Sequence, residues 1–226
     1  MASETGAQSG KDAKAPVRPQ RVGMFGGAFD PPHWAHRALA EVALRQLELD
    51  VLHILPTGQA WHKARVLSPA EHRLAMCLLS FGDLPRTRID TREIRRDGAS
   101  YTADTLRELA AEYPGAQLFL VLGADQLLAF KTWMRWPEVL QQATLAVANR
   151  ATHIGADAAP DQVREMDLSG VDLPFVRLDM PLQNISATAV RARVGRPAGH
   201  GGALDVLVPE PVARYISQHN LYQNHP

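Results

Sequence analysis

Several features are scarce in this 226-residue sequence, and each scarcity excludes a class of protein. The chain has one cysteine, Cys77, which excludes an internal disulfide framework and a zinc cluster of thiolates, and its apolar neighbours predict a buried thiol. No apolar run approaches the roughly 18 residues that a membrane helix needs. The first 20 residues also lack the apolar core of a secretory signal. We therefore expect a cytoplasmic protein without a membrane partner.

An excess of charge of either sign is also absent, because 24 lysines and arginines balance 24 aspartates and glutamates. A protein that holds a long nucleic acid needs a broad basic surface for the phosphates. We therefore expect no nucleic-acid partner, and any phosphate-bearing ligand must be bound by a local site. The hydrophobic fraction of 46% is sufficient for the core of one globular domain.

The chain divides into a tail and one domain. Residues 1–20 are rich in Ala, Gly, Ser, Pro and Lys and show no apolar periodicity, which predicts a disordered tail. Residues 21–226 are expected to form a single domain. Within it, the polar stretch from Thr152 to Asp172 is interpreted as a variable excursion without chemistry.

In that domain short apolar runs alternate with amphipathic segments, which predicts parallel strands joined by crossover helices. The expected fold is α/β, with a Rossmann-like, doubly wound parallel sheet whose ligands bind beyond the carboxyl ends of the strands. Ser68, Pro69 and Glu71 predict a helix start, with Ser68 as the N-cap residue. The expected strands read RVGMFGG, VLHILP, TRIDTREI, QLFLVLG, TLAVANR and FVRLDM, and helices are expected over 33–47, 68–81 and 101–113.

The segment GGAFDPPHWAH follows the first expected strand and leads into the first helix. Gly26 and Gly27 remove side chains where the strand turns, so a nucleotide can approach the backbone. His33 and His36 are three residues apart at a helix start, which puts both imidazoles on one face beside unpaired amides that favour an anion. A lone histidine is usually a core or surface residue, but this context favours a phosphate site. The dinucleotide pattern GxGxxG and the P-loop pattern are both absent.

A second segment, ISATAVR, puts Ser186 where it can cap a helix. Taken alone, the segment indicates only a capped helix that carries a solvated Arg191. Taken with the first segment, it predicts that two phosphate-binding helix starts face one cleft.

These two segments resemble the signatures of the nucleotidyltransferase superfamily, in which a His-x-Gly-His sequence follows the first strand. This chain has Ala35 in place of that glycine. The resemblance implies a sheet of the nucleotidyltransferase type and an ISxTxxR element that closes over the phosphates of ATP. The implied ATP-binding residues are Gly26, Gly27, Phe29, His33, His36, Lys63, Ser186, Thr188 and Arg191, and the implied catalytic residues are His33, His36 and Arg191.

Three further segments, SYTADTL, GADQL and FKTW, resemble the nicotinate-mononucleotide branch of this superfamily. The resemblance implies that Tyr101, Thr102 and Trp133 bind nicotinate, with the indole stacked on the pyridine ring. Asp125 directly follows a buried strand, and we expect it either to hold a ribose hydroxyl or to cap the next helix.

Basic residues at two more places match family positions. His62 and Lys63 lie in LPTGQAWHK, where the family commonly has two prolines before a histidine near the phosphates; Ala60 and Trp61 replace those prolines. Arg150, in VANRA, matches an arginine near the bound nucleotide, and a solvated surface arginine is its alternative. The resemblance implies that His62 and Arg150 contact the substrate.

The implied reaction is transfer of the adenylyl group from ATP to nicotinate mononucleotide, which gives deamido-NAD and pyrophosphate. ATP and nicotinate mononucleotide are the expected small-molecule partners. Mg²⁺ is expected to arrive on the ATP phosphates rather than at a metal site of the protein. The alternatives are an adenylyltransferase for nicotinamide mononucleotide or phosphopantetheine, and a non-catalytic nucleotide-binding module. The sequence leaves a homo-oligomer open.

Overall fold

The computed structural model describes residues 21–58, 67–149, 151–153, 163–181, 183–195 and 204–223. The tail over 1–20 lies outside these ranges, and so do His62, Lys63 and Arg150. The predictions for this tail and for these three residues therefore stay predictions, and so does the single domain over 21–226.

A six-stranded parallel sheet forms the centre of the molecule. Its strands are β1 (Arg21–Gly27), β2 (Val51–Pro56), β3 (Thr87–Ile89), β4 (Gln117–Gly123), β5 (Ala143–Ala148) and β8 (Phe175–Leu178). They lie in the order β3-β2-β1-β4-β5-β8, and all five neighbouring pairs are parallel. Two short strands, β6 (Ala151–His153) and β7 (Val163–Glu165), form a separate antiparallel pair within the predicted excursion. The predicted doubly wound parallel sheet is confirmed.

Eight helices accompany the strands in the described ranges. They are α1 (Trp34–Gln46), α2 (Ala70–Phe81), α3 (Arg92–Arg95), α4 (Thr102–Glu112), α5 (Ala124–Leu128), α6 (Trp136–Gln142), α7 (Ala187–Val194) and α8 (Glu210–Gln218). Single 3-10 turns cover Phe130–Thr132 and Leu204–Val206. Among the described helices, none is both long and apolar enough to cross a membrane.

Helices cover both faces of the sheet, which explains why the central strands are apolar throughout rather than alternating. Helices α1 and α2 pack on one face around Phe25, and α4 and α6 pack on the other face around Leu120. Helix α8 packs outside α2, where Met76 and Val212 share a third apolar cluster with Tyr222. The C-terminal segment is therefore part of the packed interior.

Strand β1 separates from β4 before either strand ends. It pairs with β2 over 22–27 but with β4 only over 21–24, while β4 stays paired with β5 as far as Gly123. A crevice opens between the two diverging carboxyl ends, where the order of strands along the sheet reverses. The strand geometry therefore fixes where a ligand can enter the sheet.

The predicted strand TRIDTREI was wrong in its second half, because β3 ends at Ile89 and a helical turn follows. Asp90 explains the change: its backbone N–H still donates to the Ile54 carbonyl at 2.9 Å, but its side chain turns the chain away. Asp90 Oδ1 accepts the N–H of Arg92 at 3.0 Å, and Oδ2 lies 2.8 Å from His53 Nδ1. A carboxylate that bonds the backbone two residues ahead favours a turn over a strand.

The predicted start of α2 was also wrong in detail. The first helical residue is Ala70 and the N-cap is Pro69, with no side-chain capping bond. Ser68 lies one residue before the cap, and its N–H donates to Asp30 Oδ2 at 3.2 Å. A carboxylate from a distant loop thus binds the segment just before the helix.

Cys77 is predicted to be unreactive in the folded protein. Its side chain is fully buried, and burial raises the pKa of the thiol far above its ordinary value, so almost no thiolate forms at neutral pH. We expect Ellman's reagent to label no thiol in the native protein and one thiol per chain in denaturant. Leu78→Cys is the control, because position 78 is 54% exposed and should add one thiol that reacts at once. Native labelling of Cys77 as fast as that of the added thiol would contradict its burial.

Candidate functional site

Two adjoining cavities lie at the carboxyl edge of the sheet. The larger has a volume of about 560 Å³ and the smaller about 370 Å³. The larger is bordered by the loop after β1, by the end of β4 and by the start of α7, and the smaller by the starts of α4 and of the loop after α5. The wall common to both consists of Gly26, Gly27, Ala28, Leu122, Gln126 and Trp133.

Gly26 leaves space open in that common wall. A Cβ added there would have one neighbour within 4 Å, the Met24 Cε at 3.8 Å, so packing does not require a glycine. At Gly27 an added Cβ would lie 3.2 Å from the Phe29 ring, which is a tight contact. The Phe29 ring is itself 2% exposed and packs edge-on against Phe25 and Phe81. Phe29 thus anchors the loop, while Gly26 keeps the cavity accessible to the backbone.

His33 and His36 lie together in the wall of the larger cavity. Their rings stack with centroids 3.7 Å apart and planes 20° apart. The Nδ1 of His36 accepts the backbone N–H of His33 at 3.3 Å. A neutral imidazole whose Nδ1 accepts a hydrogen bond carries its proton on Nε2. In its neutral form, His36 therefore carries its proton on Nε2.

The amides at the start of α1 are not all open, which corrects the expectation of unpaired amides beside the histidines. The N–H of Trp34 donates to the Leu207 carbonyl at 3.1 Å, and the N–H groups of His36 and Arg37 donate to the His33 carbonyl. An anion near α1 would therefore be met by imidazoles more than by the helix end. The apolar periodicity predicted α1, but it could not show that the distant Leu207 carbonyl accepts the first amide of this helix.

Helix α7 has the open N-terminus in the larger cavity. The Ser186 side chain accepts the N–H of Ala189 at 3.1 Å, so the predicted cap is confirmed. Ala187 and Thr188 line the cavity, and their amides donate to no acceptor in the described ranges. A helix N-terminus with free amides favours a bound anion.

Arg191 connects α7 to the loop after β1. Its Nη1 donates to the Asp30 carbonyl at 2.8 Å, and its Nη2 donates to Thr188 Oγ1 at 3.1 Å. Two segments that lie far apart in sequence therefore meet at one cavity. The larger cavity brings together the following predicted residues: Gly26, Gly27, Phe29, His33, His36, Asp125, Trp133, Ser186, Thr188 and Arg191.

The smaller cavity contains the other predicted cluster, namely Tyr101, Thr102 and Trp133. Tyr101 is the N-cap of α4, and Thr102 is its first residue. The Thr102 amide donates to no acceptor in the part of the chain that the structure describes, so α4 also presents an open N-terminus. The half-buried Trp133 indole rests on Phe130, with ring centroids 5.3 Å apart. This cavity offers an anion site beside an aromatic face.

Asp125 does not cap a helix, because the N-cap of α5 is Gly123 and that cap has no side-chain hydrogen bond. Asp125 lines the larger cavity at the end of β4. Of the two expectations for Asp125, the contact with a ribose hydroxyl stays a prediction.

Ala35, which stands at the position of the family's glycine, lies in the first turn of α1 and also lines the larger cavity.

Glu93 lines the smaller cavity, and the sequence did not reveal it. Its side chain is 6% exposed, and Oε1 accepts the Thr105 hydroxyl at 2.9 Å. Burial is the main cause that raises the pKa of this carboxyl. Glu93 lies in TRIDTREI, the segment that predicted a strand. The sequence offered no signal for the helical turn that buries it.

Arg73 is a second buried charge that sequence reasoning missed. Its guanidinium donates to the carbonyls of Ser68 at 2.9 Å, Ala28 at 3.0 Å and Gly58 at 3.4 Å. A buried cation needs such partners because its desolvation is costly. Arg73 thereby connects the loop after β1 with both ends of the loop between β2 and α2. An arginine on the same helical face as Met76 and Cys77 was the signal available in the sequence.

Comparisons with known proteins agree with this geometry. A family model described as Cytidylyltransferase-like matches residues 24–193. A protein of Albidiferax ferrireducens named "Probable nicotinate-nucleotide adenylyltransferase" is 52% identical over 205 residues, which cover 90% of this chain and 98% of that protein. A protein of Methylibium petroleiphilum with the same name is 40% identical over 203 residues, covering 90% and 92%.

The solved structures that resemble this fold include one with a bound dinucleotide. The Plasmodium falciparum nicotinic acid mononucleotide adenylyltransferase complexed with NaAD superposes with a TM-score of 0.69, and the match covers 91% of this chain and 98% of that one. The sequence identity is 15%, so this likeness shows the fold alone.

The N-cap of α7 is predicted to be a measurable part of stability. Ser186→Ala should lower the free energy of unfolding by about 1 kcal/mol, and Ser186→Gly by only about 0.3 kcal/mol, because glycine leaves the helix end hydrated. Denaturant unfolding followed by circular dichroism measures both. Ser217→Ala, at an exposed position of α8, is the control and should change little. Equal losses for alanine and glycine would contradict a capping role.

Proposed function

Because the chain belongs to the Cytidylyltransferase-like family and, within it, to the nicotinate-nucleotide adenylyltransferases, we propose that it transfers the adenylyl group of ATP to nicotinate mononucleotide. The products are deamido-NAD and pyrophosphate, so the reaction is a step of NAD biosynthesis. One observation carries the proposal: two anion-binding cavities of different character share a wall at the carboxyl edge of the sheet.

The larger cavity suits ATP. It combines two imidazoles, the open amides at the start of α7 and the guanidinium of Arg191, all of which are donors to phosphate oxygens. Gly26 leaves room for the nucleotide against the backbone. We assign Ser186, Thr188 and Arg191 to the β- and γ-phosphates, together with Lys63, for which the sequence resemblance is the support. Asp125 is assigned to a ribose hydroxyl.

The smaller cavity suits nicotinate mononucleotide. A carboxylate is favoured at the open N-terminus of α4, where Tyr101 and Thr102 line the wall. The pyridinium ring of the substrate is electron-poor, and an indole face such as that of Trp133 attracts it. Trp133 borders both cavities, so a ring stacked on it would direct its phosphate towards the common wall. His62 and Arg150 are assigned to this substrate on the resemblance alone.

The reaction needs alignment more than proton transfer. The phosphate of nicotinate mononucleotide is already anionic near neutral pH, so it attacks the α-phosphorus of ATP without a general base. Catalysis then depends on in-line placement and on stabilising the charge of the transition state. We assign His36 Nε2–H, with His33 beside it, to the α-phosphate oxygens. Arg191 stabilises the pyrophosphate as it leaves.

Mg²⁺ is proposed as a companion of ATP. Within the described ranges, no three His, Cys, Asp or Glu side chains form a group that could hold a metal ion. The donor set therefore fits a cation that is bound by phosphate oxygens and water. When bound, Mg²⁺ neutralises charge on the triphosphate. A cytoplasmic location is also proposed.

Acceptor preference tests the function. Purified protein with ATP and Mg²⁺ should release pyrophosphate rapidly with nicotinate mononucleotide and much more slowly with nicotinamide mononucleotide or phosphopantetheine. An enzyme-coupled pyrophosphate assay measures all three reactions. Activity with a different acceptor would preserve the ATP site and refute the roles of Tyr101, Thr102 and Trp133. No release with any acceptor would indicate a nucleotide-binding module instead.

The role of His36 has its own test. His36→Asn keeps a side-chain acceptor near the His33 N–H but removes the Nε2–H donor, so folding should persist while kcat falls by about 10²- to 10³-fold. Steady-state kinetics and thermal unfolding measure the two properties separately. His72→Asn is the matched control, because His72 bonds Tyr215 on the outside of α2, away from both cavities. An unchanged kcat for His36→Asn would refute the assignment.

A further inference from the structure

The carboxylate of Asp30 is buried in the loop that joins β1 to α1, with 2% of the residue exposed. Its Oδ1 accepts the hydroxyl of Tyr222 at 2.6 Å, and its Oδ2 accepts the N–H of Ser68 at 3.2 Å. Its backbone carbonyl accepts a hydrogen bond from Arg191. A buried carboxylate must be hydrogen-bonded, and short bonds to a charged acceptor are strong ones. Three distant segments therefore converge on one loop residue.

Tyr222 reaches Asp30 through an unusual backbone path. After α8 ends at Gln218, Asn220 and Tyr222 adopt positive φ angles of 51° and 64°. For a bulky side chain this conformation is rare, and it persists only where the surroundings enforce it. The Tyr222 ring packs in the cluster that contains Met76 and Val190, with 5% of the residue exposed. This bend of the backbone places the Tyr222 hydroxyl beside the buried Asp30 carboxylate.

The C-terminal part of the chain also holds the other end of the same loop. The Trp34 N–H donates to the Leu207 carbonyl, and the Trp34 indole N–H donates to the Asp205 carbonyl at 2.8 Å. Trp34 is the first residue of α1 and lies between the two histidines of the larger cavity. The segment over 28–36 comprises the loop after β1 and the first residues of α1. It is therefore hydrogen-bonded near both ends to residues that follow position 204.

We propose that Tyr222 is a positioning residue for adenylyl transfer, whose hydroxyl holds the Asp30 carboxylate and so fixes His33 and His36 against the ATP phosphates. The inference rests on the proposed function. Tyr222 is not among the residues that line either cavity, so it acts through Asp30 and not by contact with substrate. Of the segment over 28–36, Ala28 alone also lines the acceptor cavity, so the affinity of that cavity should depend little on Tyr222.

Tyr222→Phe tests this assignment, with Tyr215→Phe as the matched control. Each substitution removes one hydroxyl from the C-terminal segment and keeps the ring, but Tyr215 bonds His72 on the surface of α2. Tyr222→Phe should lower kcat/KM for ATP by about 10- to 100-fold, the usual effect of a misplaced reacting group, and leave KM for nicotinate mononucleotide within about twofold. Tyr215→Phe should leave both constants near those of the unaltered chain.

Hydrogen exchange supplies a readout that does not need activity. In full-length Tyr222→Phe, amides over 28–36 should exchange at least about tenfold faster, while those of β4 keep their rate. A double-mutant cycle adds a second check: in an Asp30→Ala background, Tyr222→Phe should have little further effect on kcat/KM for ATP, since the bond to the Asp30 carboxylate is already gone.

Two results would overturn the inference. One is wild-type kinetics and wild-type exchange in Tyr222→Phe; the other is an equal loss of activity in Tyr222→Phe and Tyr215→Phe. If the unaltered chain transfers adenylyl groups to no acceptor, the proposed function fails, and the exchange comparison still decides whether Tyr222 holds the loop.

Discussion

Strand β1 must pair along most of its length and yet leave its last residues accessible. Parallel strands stay hydrogen-bonded only while they run side by side, and β1 leaves β4 after Met24 although both continue for three more residues. The residues in that gap are the ones that border the larger cavity, with Gly26 among them. This divergence fixes the position of both cavities. It also fixes the position of the segment that carries His33 and His36 and of α7, because each is connected to a strand end at the same edge.

Among the helices that begin at this edge, α1, α4 and α7 are not equivalent. The start of α1 is occupied by a carbonyl from Leu207, whereas the starts of α4 and α7 keep amides that bind no described residue. The bond to Leu207 uses the first amide of α1, so the Ala35 amide and the two imidazoles are the groups of this helix start that line the larger cavity. Under the proposed function, α4 and α7 would offer backbone dipoles to the bound anions, and α1 would add imidazole donors to the phosphates.

Much of this arrangement could be predicted from the sequence. The alternating pattern predicted the parallel sheet, because strands buried on both faces must be apolar throughout, and the GGAFDPPHWAH and ISATAVR segments predicted two helix starts at one cleft. Elements whose form depends on distant partners could not be predicted. Ser68 looked like an N-cap because local signals favour it, but α2 begins one residue later, after a segment in which the distant Asp30 carboxylate binds the Ser68 amide. The turn that buries Glu93 depends on a bond between Asp90 and His53, which are 37 residues apart.

The wall that the two cavities share also bears on how a product would leave. Under the proposed function, two separate substrates would bind independently, each in its own cavity, whereas a dinucleotide would occupy both cavities as one molecule. Once one half is bound, the other half is held near its cavity at a high effective concentration, so a product can bind more tightly than either substrate. Turnover in such a site would be limited by the rate at which one half of the product dissociates from its cavity. A moderate affinity in each cavity would therefore allow faster turnover than a maximal one.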